Sequence, residues 1–302
     1  MPSNLNQLIN NFLEYLGNEK GKSSHTVKNY QFYLQRFVQW GHLGEPQDIT
    51  VSKVEEFRRY LSNVRSQRGE LMKVTTQNYH LIALRTFLGY LKGRDITTLK
   101  ADQVTLTKTG RRTINIIEEA DIERLLAAPL QTKEPGLIQK RDKAMLELLF
   151  STGMRVSEIA SLQREQINFL KDEFIIRGGG GAVRFLPLSN QTKYWLKEYL
   201  GLRTDRLSAL FVRHDKARKK QFETIKDRDY RLTPRTVQRI VKKYAKSADI
   251  GQEITPHTLR HSYAAHLLHQ GFDIKTIQSM LGHSSITTTQ IYSRMADNKR
   301  ND

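Results

Sequence analysis

The chain has 302 residues, of which 38% are hydrophobic and 26% charged, a balance typical of globular proteins and a length that suits two domains. No stretch approaches the roughly 18 consecutive apolar residues that a membrane span needs, and the amphipathic start lacks the layout of a signal peptide. The absence of cysteine excludes disulfides and thiolate metal sites and fits a reducing interior. We therefore predict a soluble, cytoplasmic protein with no membrane partner.

The charge is strongly positive, since 49 lysines and arginines stand against 31 acidic residues and give a formal net charge of +18. Basic side chains that displace phosphate counterions gain binding free energy, so this surplus favours a nucleic-acid partner over a merely solvated surface. Charge alone separates neither DNA from RNA nor a binding protein from an enzyme.

The first hundred residues predict four helices joined by short turns. Apolar residues recur at helical spacing over 5–16, about 24–38, 51–64 and 75–91. We predict an all-helical N-terminal domain at 1–96. Some basic residues on its polar faces are candidate phosphate contacts, although most such residues are simply solvated: Lys22, Lys28 and Arg85.

Residues 97–113 show no apolar periodicity and end in a basic cluster, which predicts an interdomain linker. The remainder, 114–302, predicts a domain of helices interrupted by a hairpin at 174–188, where two β-rich runs flank a glycine turn. The fold class is therefore mainly α with a small antiparallel β-sheet. Residues 211–246 hold 13 basic and 4 acidic residues, and a helix within them offers further candidate phosphate contacts: Arg235, Arg239 and Lys242.

The residues best suited to carry catalysis lie near the C-terminus. His257 and Arg260 stand at i, i+3 spacing on one face of the first turns of a predicted helix. His283 stands where a second short helix ends, and Tyr292 follows nine residues later. Taken singly, each of these side chains is more often a cap, a core hydrogen bonder or a packed ring.

Taken together, these four residues closely resemble the C-terminal signature of the tyrosine recombinase (phage integrase) family. Residues 151–158, STGMRVSE, resemble the family's upstream signature, which carries its first arginine. The similarity covers nearly the whole chain, since 1–96 resembles the family's core-binding domain and 114–302 its catalytic domain. The closest likeness is to simple Xer-type enzymes that lack an arm-binding domain, and we expect none before Asn4.

The resemblance implies cleavage and rejoining of duplex DNA at a short specific site, through a 3′-phosphotyrosyl intermediate and a Holliday junction, by four protomers. It implies that Tyr292 is the nucleophile, that Arg155 and Arg260 hold the phosphate, that His257 transfers a proton and that His283 hydrogen-bonds the scissile phosphate. Arginine suits charge that develops on phosphate oxygens, and a phenol that titrates near pH ~10 needs help to attack at neutral pH. No ATP, metal or other cofactor is expected.

Glu158 matches the acid that supports the family's site, and a purely structural ion pair explains it equally well. The hairpin turn departs from the family pattern, because the lysine that protonates the leaving 5′-oxygen is replaced by Gly179 and a second common lysine by Ala182. Three explanations stand: the turn is altered to slow or trap the enzyme, a neighbouring cation substitutes, or the chain is a natural variant of reduced activity. The candidate substitutes are Lys171, Arg177 and Arg184. Arginine is a poor general acid, since its pKa exceeds about 12, so we expect slowed cleavage.

Two other functions stay open. A catalytically silent DNA-binding protein fits the glycine turn but not the intact catalytic residues, and a relaxing topoisomerase does not need the N-terminal helical unit. The residue pattern does not separate chromosome dimer resolution from phage integration or mobile-element movement, and it does not give the target site. The ten residues after Tyr292 are expected to be too few for a full helix exchanged between protomers.

Overall fold

The computed structural model describes residues 4–110, 115–178, 183–214, 227–282 and Thr289. Its contacts divide the chain into two compact units, Met1–Arg112 and Thr113–Asp302. The helices of the first unit are α1 (Leu5–Asn18), α2 (Ser24–Gly41), α3 (Val51–Asn63) and α4 (Val74–Lys92). The predicted boundary at residue 96 and the linker at 97–113 stay predictions.

Local capping explains where three of these helices begin. The side chains of Asn4, Ser23 and Thr50 each accept a hydrogen bond from a backbone N–H in the first turn of α1, α2 and α3. The apolar stripes then meet in one core, in which the rings of four buried phenylalanines pack in pairs about 5 Å apart: Phe12 with Phe87 (5.3 Å) and Phe37 with Phe57 (4.9 Å).

The first part of segment 97–113 packs against this core. Val104 is fully buried among the helices, and the Asn78 side chain exchanges two hydrogen bonds with the backbone of Thr107. The sequence shows no periodicity here because the segment folds as a short 3-10 turn, Ala101–Gln103, rather than as a longer helix.

The second unit carries a small hairpin among its helices. Its elements are α5 (Glu119–Ala127), α6 (Gly136–Thr152), α7 (Val156–Ser161), β1 (Glu173–Arg177), β2 (Val183–Pro187), α8 (Asn190–Gly201), α9 (Asp227–Tyr230), α10 (Pro234–Ser247), α11 (Pro256–His269) and α12 (Ile274–Leu281). The predicted fold class, mainly α with a small antiparallel sheet, is confirmed. None of the helices in the described part of the chain is long and apolar enough to cross a bilayer.

Helix α6 lies at the centre of this unit, and every residue from 141 to 149 is buried. It therefore places charge in the core, where each group has a partner: Asp142 accepts hydrogen bonds from Arg141 (2.7 Å) and from the hydroxyl of Tyr244 (2.8 Å). Such pairing is what buried polar groups require.

The hairpin lies with one face on the core. β1 and β2 pair antiparallel, with Arg177 opposite Val183. Because side chains alternate between the faces of a strand, Phe174 and Leu186 are buried while Ile175 and Phe185 are exposed. Arg184 falls on the same inward face and is only 8% exposed. The hairpin thus brings an arginine, rather than an apolar residue, to the core side of β2.

Candidate active site

The STGMRVSE signature is a helix end, a turn and a helix start within eight residues. Gly153 ends α6 in the left-handed conformation, with φ of 57°. A Cβ there would lie 2.5 Å from ring carbon Cδ1 of Tyr263 on α11, so the close approach of α11 also requires glycine. Arg155 then precedes α7, and its backbone N–H donates to Glu158 Oε2 at 2.7 Å. This bond satisfies one of the N–H groups that a helix start leaves unpaired.

Glu158 is the hub of the site. Its carboxylate also accepts a hydrogen bond from Arg155 Nη1 (2.9 Å) and a bidentate pair from Arg184, Nη1 to Oε1 (3.0 Å) and Nη2 to Oε2 (2.6 Å). Burial raises the pKa of the Glu158 carboxyl, but the hydrogen bonds from Arg184 and from the backbone of Arg155 outweigh it and hold the pKa below its usual value. Glu158 is therefore an anion at neutral pH that orients two arginines.

Arg260 reaches the same place from α11. The Thr255 side chain caps α11 by accepting the N–H of Thr258. One turn later, the buried guanidinium of Arg260 donates from Nη1 to the Gly153 carbonyl (2.7 Å) and from Nη2 to the Leu281 carbonyl (2.6 Å). These two bonds fix the plane of the guanidinium between the ends of α6 and α12.

The end of α12 provides the carbonyl groups that Arg155 and Arg260 bind. Gly282 adopts the left-handed conformation, with φ of 64°, and its carbonyl accepts a hydrogen bond from Arg155 Nη2. The two predicted phosphate-binding arginines, Arg155 and Arg260, therefore donate to adjacent carbonyls of one turn. Arg155 keeps 34% of its side chain exposed, so it is held in place and accessible.

Of the remaining predicted catalytic residues, the structure describes only His257. His257 lies exposed on the first turn of α11, three residues before Arg260. His283 and Tyr292 lie outside the described residues, although His283 follows Gly282 directly in the chain. In the glycine turn, Gly179 and Ala182 also lie outside the described residues.

Arg184 does not fit one role considered for it, that of a cation standing in for the missing lysine. Its guanidinium is bound to Glu158 and buried. Arg177 is exposed at the end of β1 that leads into the turn, whereas Lys171 is exposed before β1 begins, at the opposite end of the hairpin. The sequence did not predict that Arg184 would bind Glu158 at the site. The alternation of β2 carried the signal, because it places position 184 on the inward face with Leu186.

The predicted phosphate contacts of the first unit, Lys22, Lys28 and Arg85, are all exposed. On α10, Arg235, Arg239 and Lys242 are exposed at spacings of four and three residues, and Lys246 extends the series. These four basic residues therefore form one stripe along the helix, which we call the α10 stripe. Lys243 lies beside the stripe and pairs with Glu134 at 2.6 Å.

Within the described ranges, no group of three or more histidine, aspartate or glutamate side chains lies close enough to hold a metal ion. The charged groups gathered at the site are instead three arginines of intermediate or low exposure, Arg155, Arg184 and Arg260, held by one carboxylate and by backbone carbonyls. This arrangement presents positive charge from fixed groups, which suits an anionic oxygen rather than a cation.

Comparison with known proteins identifies the class. Residues 115–299 match the model described as "Phage integrase family", and residues 9–95 match "Phage integrase, N-terminal SAM-like domain". The chain belongs to the phage integrase family, as the resemblance in the sequence implied.

Similar proteins include Xer recombinases. The chain is 35% identical to Tyrosine recombinase XerD of Pseudomonas aeruginosa, over 96% of this chain and 93% of the relative. It is 34% identical to Tyrosine recombinase XerC of Thermodesulfovibrio yellowstonii, over 95% of this chain and 91% of the relative. The fold resembles XerH bound to a palindromic difH substrate in a post-cleavage complex, with a TM-score of 0.72 at 18% identity over 91% of this chain and 77% of that one.

Proposed function

We propose that this chain is a Xer-type site-specific DNA recombinase that cuts and rejoins duplex DNA. The observation that carries the proposal is the convergence of Arg155, which precedes α7, and Arg260, on α11, on the turn at 281–282 that leads into His283. Their fixed guanidiniums can bind a phosphate without reorganising as charge develops, which is the main source of catalytic power for such groups. Relatives more than 30% identical along nearly the whole chain are tyrosine recombinases.

In the proposed reaction, the Tyr292 oxygen attacks the scissile phosphorus and forms a 3′-phosphotyrosyl bond as the bond to the 5′-oxygen breaks. The 5′-oxygen leaves with the electron pair of that bond and takes up a proton from water or from a neighbouring cation, since the lysine of the family stands replaced by Gly179. Arg155 and Arg260 bind the non-bridging oxygens, His283 donates a hydrogen bond to the phosphate, and His257 takes up the phenol proton. Attack by a 5′-hydroxyl of the partner strand reverses the step. Because one phosphoester replaces another, no ATP is consumed.

The partners follow from the same proposal. The chain acts on double-stranded DNA at a short specific site, as four protomers that pass through a Holliday junction. Solved relatives bound to DNA include a lambda integrase tetramer on a Holliday junction. We place the chain in the cytoplasm with the chromosomal DNA, in keeping with a sequence that lacks cysteine.

The test uses a nicked suicide duplex, in which cleavage releases a short fragment and traps the covalent intermediate. Its target sequence is first selected from a randomised pool by binding to the chain. Formation of an SDS-resistant protein–DNA adduct supports the proposal. Binding to the selected duplex without any adduct would favour the second candidate, a DNA-binding protein that does not cut. The observation that favours this second candidate is the run of glycines in the hairpin turn, where the family has its proton-donating lysine.

The α10 stripe gives a prediction for binding. We expect the logarithm of affinity to fall linearly with the logarithm of salt concentration, and Arg239→Gln to make that slope shallower by roughly 0.9, the value for one lost phosphate contact. Lys243→Gln, on the same helix but paired with Glu134, is the matched control and should leave the slope nearly unchanged. Anisotropy titrations at several salt concentrations measure both. Equal slopes for wild type and Arg239→Gln would remove the stripe from the interface.

The hairpin turn gives a prediction for catalysis. Gly179→Lys should raise the rate of adduct formation, by roughly 100- to 10,000-fold if the missing proton donor limits cleavage, since general acid catalysis contributes on that order. Gly178→Lys, one residue earlier in the turn, is the control for a mere increase in charge. Single-turnover cleavage of the suicide duplex measures the rates. No gain from Gly179→Lys would mean that another group already protonates the leaving oxygen.

A further inference from the structure

Arg184 holds an unusual position for a charged residue. It lies on the inward face of β2 with 8% of its surface exposed, and its Nε is buried without a hydrogen-bond partner among the described residues. A buried ion pair with an unsatisfied nitrogen is weak as a device for stability, because desolvation offsets much of the attraction. The arrangement therefore calls for another explanation.

Arg184 is connected to Arg155 through two separate sets of contacts. In the first, its two terminal nitrogens bind both oxygens of Glu158, which in turn binds the backbone and the side chain of Arg155. In the second, its guanidinium packs on Gly282, where a built Cβ would come within 2.5 Å of Nη1 and 3.3 Å of Cζ. Gly282 is the residue whose carbonyl Arg155 binds.

Arg155, Glu158, Arg184 and Gly282 thus form a closed ring of contacts drawn from three elements, α7, β2 and the end of α12. A planar guanidinium can span both carboxylate oxygens and still lie flat on a glycine, which a lysine ammonium cannot do. Loss of Arg184 would leave Glu158 with bonds only from its own helix start and would remove the surface on which the Gly282 turn rests.

We propose that Arg184 is a positioning residue for DNA cleavage, which fixes Arg155 through Glu158 and fixes the turn into His283 through Gly282. The inference rests on the proposed recombinase function. By this inference, β2 contributes to cleavage through Arg184, independently of the position in the hairpin turn where the family has its lysine. Arg184 itself need not touch the DNA.

The experiment compares Arg184→Lys with wild type in single-turnover adduct formation on the selected suicide duplex, at saturating DNA and well below the lowest melting midpoint. We expect the rate to fall roughly 10- to 100-fold, because small displacements of a phosphate-binding group have effects of that size. The dissociation constant for the duplex should change by less than about threefold, since the other phosphate contacts remain. A structural role alone would lower the melting midpoint and leave the rate of the folded protein intact.

The matched control is Arg203→Lys. Arg203 is equally buried, forms a similar two-point pair with Asp205, and donates to the carbonyls of Ala209 and Leu210. This variant should lose stability to a similar degree but cleave at close to the wild-type rate. If Arg203→Lys slows cleavage as much as Arg184→Lys, or if Arg184→Lys cleaves within about twofold of wild type, the inference is wrong.

A double mutant tests the route through Glu158. Glu158→Gln and Arg184→Lys should each slow cleavage, and the combined loss should be far smaller than the product of the two, because both act on Arg155. Losses that multiply would rule the route out. If wild type binds the duplex but forms no adduct, the proposed function itself fails, and this inference falls with it.

The pH profile gives a readout that packing alone would not move. The described charged groups that face the Glu158 carboxylate are Arg184 from β2 and Arg155 from the start of its own helix. In Arg184→Met the burial of Glu158 remains while the strongest opposing bonds are lost, so its pKa should rise. The acid limb of the rate profile should therefore begin at a higher pH than in wild type, and an unshifted limb would contradict the role.

Discussion

Tyr292→Phe is expected to abolish the covalent adduct with the suicide duplex while the affinity for that duplex stays within about twofold of wild type. Phenylalanine keeps the ring and removes only the oxygen that we propose forms the phosphotyrosyl bond, and without a nucleophile the step has no chemical route. The effect should be complete rather than partial, because in the proposed mechanism the other site residues bind the phosphate or transfer a proton and none of them attacks phosphorus. Denaturing gels of the adduct and anisotropy titrations of binding measure the two quantities.

The control for this substitution is Tyr194→Phe. Tyr194 lies in the same unit, on α8, with 54% of its surface exposed and its ring packed edge-on against Trp195. Removing its hydroxyl should change neither binding nor adduct formation. An adduct that persists in Tyr292→Phe would assign the nucleophile to another residue and would break the correspondence with the family's C-terminal signature.

Gly153→Ala should destabilise the second unit by about 2–5 kcal/mol, a large part of the 5–15 kcal/mol typical of a domain. The left-handed backbone costs a residue with a Cβ about 1–2 kcal/mol. The added methyl would also lie 2.5 Å from the Tyr263 ring and 3.0 Å from Leu281, and overpacking of this kind costs about 1–3 kcal/mol. Urea denaturation of the full chain measures the loss. Because Arg260 donates to the Gly153 carbonyl, we also expect slower cleavage.

Gly271→Ala separates the two contributions. Gly271 also has a positive φ, 88°, but no described atom other than those of its chain neighbours lies within 4 Å of a built Cβ. It should lose only the backbone part, about 1–2 kcal/mol. If both variants lose the same amount of stability, the contact between the α6 end and α11 is looser than the distances indicate.

Much of the fold could be read from local patterns. The helical stripe over 5–16 became α1, Leu5–Asn18, and the glycine turn between β-rich runs became a hairpin in which Arg177 pairs with Val183. These predictions hold because periodicity and turn residues act over a few positions. The pattern was less informative on α4, where Tyr79 shares the helical spacing of the core residues but is 55% exposed, since spacing does not report which face a neighbour covers.

The candidate site could be predicted only in part. The motif order picked out Arg155, Glu158 and Arg260, which the structure brings together at one turn. The motif order did not decide whether Glu158 supports the site or forms a structural ion pair. The bidentate bond from Arg184 shows that the same carboxylate does both, since it also binds Arg155. The motif order also allowed Arg184 as a substitute proton donor, which its burial and its pairing contradict.

The sequence by itself determined the class of the protein, the helical framework and the identity of the chemical groups, because motifs and periodicity are properties of short segments. Only the tertiary structure decided how those groups are held. The bonds from Arg260 to Gly153 and from Arg184 to Glu158 join residues 107 and 26 positions apart. Such contacts depend on how α6, α11, β2 and the end of α12 pack, and packing is set by the whole core rather than by any local pattern.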